Sequence, residues 1–129
     1  MLSRNYHDCV LISIRLDAGS GSVDLTFKSE PGERMEIILR GCSLFKSSDL
    51  VLQNVVSRII TYTGHDVIER DVADKLEWVS SLSDASSFLN AERMGAIVSS
   101  IKNGCETLIY VEPSWGAQIV ALCKEIVER

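Results

Sequence analysis

From Val10 to Asp17 the chain alternates. Val10, Ile12, Ile14 and Leu16 fall on one side, and Leu11, Ser13, Arg15 and Asp17 fall on the other. A period of two predicts a half-buried β-strand, because successive side chains of a pleated backbone point to opposite faces. "DAGSGS" supplies turn residues. Val23, Leu25 and Phe27 then resume the alternation against Asp24, Thr26 and Lys28, which predicts a hairpin. "SEPGER" reverses the chain again, and Met35, Ile37 and Leu39 of "MEIILR" predict a third strand. The first third of the chain is therefore expected to be an antiparallel meander with one apolar face.

"SDLVLQNVVSRIITYTG" is ambiguous, since its apolar pairs at 51/52, 55/56 and 59/60 satisfy helical spacing and strict alternation alike. The β-branched and aromatic residues of "RIITYT" favour a strand at about 55–63, with an irregular or helical turn at 47–54 before it. Beyond Gly64 the period changes. Val72, Leu76 and Val79 predict an amphipathic helix over 69–80. Asn90 is placed to cap a second helix with a Met94, Ile97, Val98 and Ile101 stripe, stopped by Gly104. "ETLIYVE" predicts a late strand at an edge of the sheet. Pro113 and Ser114 look like the start of a last helix, with Ala117, Val120, Leu122, Cys123, Ile126 and Val127 on its apolar face. The expected fold class is α+β: a curved antiparallel β-meander of about five strands with about three helices packed on one side, and residues 1–129 as a single domain.

Bulk properties narrow the functions. With 129 residues and 46% hydrophobic content the chain can bury a core without staples. A net charge of −5 with scattered Lys and Arg argues against nucleic-acid binding, which needs a basic face to collect phosphates. An acidic surface suits a basic protein partner, or serves solubility alone. "MLSRNYHD" has no apolar leader core, and no apolar stretch is long enough to span a bilayer, so no membrane role is expected. Four widely spaced cysteines without a C-x-x-C pair read as free thiols in a reducing cytoplasm.

Candidate chemistry is sparse. His7-Asp8-Cys9 stands where the first strand begins, and a Cys-His nucleophile pair is conceivable. Neighbours on a strand face opposite ways, however, so Asp8 and Cys9 are expected to punctuate the fold and not to react together. No cysteine or histidine has a partner at metal-ligand spacing, so no metal and no cofactor are expected. "DAGSGS" joins two strands and does not lead into a helix, so it is a hairpin loop and not a phosphate cradle. In "EPSWGA", Glu112 ends a strand and Ser114 can cap the next helix. Gly116 leaves the helix start open, where free amides could hold an anion or carboxylate, and a site there would have His7, Asp8, Glu112 and Trp115 converge on a pocket. In "SDLVLQN", Gln53 and Asn54 interrupt an apolar stretch. They are expected to tie an irregular segment to the first strand, or else to face outward as a recognition patch.

Together, "YHDCVLISIRLD", "LRGCSLFKSSDLVLQNVVSRI" and "EPSWGAQIVALCKEI" resemble a family of small bacterial proteins. That family carries an N-terminal His-Asp before a hairpin, a Ser-Asp…Gln-Asn segment, and Glu-Pro-Ser-x-Gly-Ala running into a helix. The resemblance spans nearly the whole chain and implies a bacterial cytoplasmic protein without implying an activity. The expected function is non-enzymatic protein binding, of the immunity type by analogy of build. The alternative is a ligand-binding domain or enzyme with a site between the sheet and the helix at Ser114. His7, Asp8, Gln53, Asn54, Glu112, Ser114 and Trp115 are the candidate binding residues. A homodimer through an uncapped sheet edge is the further partner considered.

Overall fold

The computed structural model describes residues 2–129. Its order is β1 (Val10–Asp17), β2 (Ser22–Lys28), β3 (Arg34–Arg40), β4 (Leu44–Ser48), β5 (Asn54–Tyr62), α1 (Glu69–Val79), α2 (Ala91–Lys102), β6 (Thr107–Trp115), β7 (Gln118–Cys123) and β8 (Glu125–Glu128). All eight strands lie in one antiparallel sheet, in the order β4-β7-β6-β5-β1-β2-β3-β8. This corrects the expectation of about five strands and about three helices. The described residues form eight strands and two helices, and the late strand β6 lies inside the sheet, between β5 and β7.

Two connections are bends in long strands. β3 passes through residues 41–43 into β4, and β7 passes through Lys124 into β8. The ladder continues across both bends, with Lys124 N–H donating to Arg40 O at 3.0 Å and Ser43 N–H to Leu122 O at 2.9 Å. Between Arg40↔Glu125 and Leu44↔Leu122 one strand advances by four residues and the other by three, a one-residue bulge. Gly41 makes this bend possible. Its φ is +62°, and a Cβ there would lie 3.0 Å from the Lys124 side chain. The strands named at the two ends of the sheet are thus continuations of a central ribbon, and the sheet rolls up. β1 and β5 close the roll through only two pairs, Val10↔Val55 and Leu11↔Asn54.

All eight strands contribute to the interior of the roll, with Leu11, Leu25, Phe27, Ile37, Leu39, Val56, Ile109, Val111, Ile119, Ala121 and Cys123 buried and Phe45 and Ile126 packed against them. The outer face of β6 and β7 is covered by the helices: Val72, Leu76, Val79 and Ile101 bury Leu108, Val120 and Leu122. Asn90 does cap α2, its side chain accepting the Arg93 N–H at 2.8 Å, and Gly104 follows at φ +78°.

The last helix expected from residue 113 is absent; residues 113–128 form the end of β6, a tight turn, β7 and β8. The cause is burial on both sides. Ile119, Ala121 and Cys123 enter the roll while Val120 and Leu122 lie under the helices, so the run loses its alternation and mimics a broad helical face. The turn expected at 47–54 is also revised, because β4 reaches Ser48 and only 49–53 is irregular. A bulge at Ile12 shifts the first strand. Leu11 pairs with Phe27 and Ser13 with Thr26, so Leu11 is buried and Ile12 turns outward, the reverse of the expected faces.

The segment before β1 is fastened to the far end of the chain. Glu128 accepts the Tyr6 hydroxyl at 2.8 Å and the Ser3 backbone N–H at 2.7 Å. Burial pushes its carboxyl pKa up, but hydrogen bonds from the Ser3 amide and the Tyr6 hydroxyl, with further help from Ser3 Oγ and the Arg4 amide, outweigh this and hold it below the usual value. A depressed folded-state pKa stabilises the protein above the unfolded value, about 4.3, and that contribution disappears as pH falls through the lower folded value. Glu128→Gln is therefore expected to be less stable than wild type at pH 7, with the gap closing below about pH 4. Urea titrations at both pH values measure it, and a gap that is constant with pH contradicts the assignment.

Candidate functional site

The candidate residues do not converge. Cys9 is 1% exposed inside the roll. Desolvation, then the carboxylates of Asp8, Glu30 and Glu33, push its thiol pKa up, so it stays protonated. Asp8 takes a left-handed φ of +63°, and its backbone N–H donates to Val56 O at 2.9 Å, which starts the β1–β5 closure. Its side chain is half exposed, 3.2 Å from the exposed His7 Nδ1. That surface pair contributes little. The triplet is a chain turn with the sulfur on the inside and the ionisable pair outside.

His7 borders a depression with Arg4, Tyr6 and Arg58, whereas Asp8 borders a different one with Val10, Ile12, Lys28 and Glu30. Glu112 and Trp115 line neither. Glu112 instead grips Arg58, its cross-strand partner, through a two-pronged ion pair at 3.0 and 3.3 Å on the outer face of β5–β6. Ser114 is an exposed β6 residue. Without a helix at Ser114 there are no free helix amides to hold an anion, so that site loses its physical basis. Among the described residues no group of three or more His, Cys, Asp or Glu side chains is placed to hold a metal ion. Among the described residues no helix is long and apolar enough to cross a membrane.

Gln53 and Asn54 part company. Gln53 is exposed, while the Asn54 amide, on a residue 5% exposed, makes three hydrogen bonds. Its Oδ1 accepts the backbone N–H of Val51 and of Ala117, each at 3.0 Å, and its Nδ2 donates to Val51 O at 2.7 Å. Asn54 thus ties the 49–53 loop to the β6–β7 turn, and its backbone pairs with Leu11. Gly116 completes the clamp. At φ +92° a Cβ would sit 2.5 Å from Asn54 Oδ1 and 2.8 Å from Val51 Cγ2, so only glycine lets the turn approach this closely.

This clamp holds apolar side chains out in solvent. Leu52 is fully exposed, Leu50 is 60% exposed and Ile12, on the β1 bulge, is 44% exposed. They surround a cavity of about 290 Å³ bordered by Leu11, Ile14, Val51 and Asn54. Trp115, 67% exposed, adjoins the clamp at Gly116. The sequence singled out Gln53, Asn54 and Trp115 here but passed over Leu50, Val51 and Leu52, whose hydrophobicity reads as core. The sequence carries no signal for them; in the structure the left-handed Asp49, at φ +59°, follows β4 and leaves three apolar residues with no strand partner. Compared with protein-family models, curated proteins and solved structures, the chain has no match in any of the three.

Proposed function

We propose that this chain is a non-enzymatic protein-binding domain of the bacterial cytoplasm that engages its partner through the apolar surface around the 49–53 loop. The observation that supports it most is the pairing of a buried Asn54 that makes three hydrogen bonds with a loop whose Leu50 and Leu52 are exposed. Buried polar residues that fix a loop make it rigid, and rigid exposed apolar side chains lose little entropy on docking. Leucines, isoleucines and a valine around a shallow cavity, with Ser13 and Asn54 as its polar lining, have the anatomy of an interface core. An immunity-type role suits a domain that offers a fixed recognition surface and gathers no catalytic set. The net charge of −5 favours a basic partner.

A photo-crosslinking residue at position 52 is expected to trap one discrete partner in cells, and the same probe at Arg70 on α1 is not. Leu52→Asp should change unfolding free energy by less than about 0.5 kcal/mol, since nothing packs on this side chain, yet abolish the complex. Equal crosslinking from both positions, or a complex indifferent to Leu52→Asp, would sink the proposal.

A further inference from the structure

The closure between β1 and β5 leaves a second consequence on the opposite half of β1. Only Val10 and Leu11 pair with β5, so on the side away from β2 the residues Ser13–Asp17 have no strand partner among the described residues. This is a free edge, with Ser13, Arg15, Leu16 and Asp17 all exposed. Arg15 and Asp17 project from one face, opposite Asp24 and Ser22 of β2, and Leu16 projects from the other, opposite Val23. Arg15 makes no ion pair within the chain among the described residues, although Asp24 stands across from it.

We infer that this edge pairs with a second copy of the chain, antiparallel about a two-fold axis through Leu16. Antiparallel neighbours directly opposite each other point to the same face, and a two-fold axis perpendicular to the sheet keeps like faces together. Centred on Leu16, the register sets Arg15 opposite Asp17 of the other copy, twice, and Leu16 opposite its twin. The two leucines then cover the mouth of a cavity of about 320 Å³ that Leu16 lines with Val23, Leu44 and Phe45. Centred on Arg15, the same edge would place like charges face to face, which is unfavourable. Centred on Ile14, it would need the space beside Ile12 that the 49–53 loop borders. The charge pattern therefore selects one register.

The test is a charge swap followed by sedimentation equilibrium. Wild type is expected to show a concentration-dependent dimer. Arg15→Asp, which puts two acidic residues opposite each other twice, should weaken dimerisation about ten-fold or more. Asp17→Arg should do the same, but Asp17 also accepts the Ser20 N–H at 3.2 Å, so the Arg15 variant is the cleaner arm. The double variant Arg15→Asp/Asp17→Arg restores both pairs with reversed sign and should recover most of the affinity. A wild-type protein that stays monomeric up to about 1 mM overturns the inference. So does a dimer untouched by the Arg15 change, or one that the double swap fails to rescue.

Discussion

Phe27→Ala should lower the unfolding free energy by about 3–5 kcal/mol, a large share of the 5–15 kcal/mol that a domain of this size has in hand. Phe27 is fully buried on β2, paired with Leu11 across the bulge and with Met35 on β3. The Tyr6 ring packs edge-on against it with centroids 5.3 Å apart. Removing the ring opens a void at the centre of the roll and takes the floor from under Tyr6, which carries the hydroxyl donor to Glu128. Relaxation is limited because strands on every side are fixed by their ladders. Urea denaturation measures the change; a loss below about 2 kcal/mol would mean that the interior collapses freely and is not packed as described.

Asn54→Ala comes next, at about 2–4 kcal/mol. Three hydrogen bonds disappear, and the Ala117 N–H is left buried without a partner. The Val51 groups lie nearer solvent and recover water, so most of the cost falls on the turn. Hydrogen exchange should locate it: amide protection at Val51 and Ala117 should fall well beyond the global change. Because the same side chain positions the exposed leucines, partner capture through position 52 should fall in parallel. A variant within about 1 kcal/mol of wild type would show that the clamp is incidental.

How legible was all this in the sequence? The hairpins of β1–β3 were, because one face is buried and the other wet, so the period of two survives. The helices at 69–79 and 91–102 were, the first because Val72, Leu76 and Val79 keep helical spacing, the second because Asn90 and Gly104 mark capping chemistry that depends on local backbone alone. β7 was not. Its two-sided burial comes from strands and helices distant in sequence, and no local pattern separates such a run from a buried helix. Pro113-Ser114 made matters worse by imitating a helix start, where the structure puts both within β6 beside the bulges of β5. The bulge at Ile12 was equally hidden, since one extra residue inverts the faces without changing the letters. Around the proposed surface, Asn54 stands out in the sequence as an amide inside an apolar stretch and Trp115 enters only through the helix start that is absent, whereas Leu50 and Leu52 look ordinary.

The two bent strands govern the order in which the chain can acquire its shape. β7 and β8 complete both halves of the roll, and Glu128 grips Ser3 and Tyr6, more than 120 positions away. No early stretch of polypeptide can seal its hydrophobic interior until residues 118–128 are in place, since these pair with β3, β4 and β6. Loop-closure entropy of that span must be met before the final ladder rewards it, which places folding in the slow, millisecond-to-second class of all-β topologies.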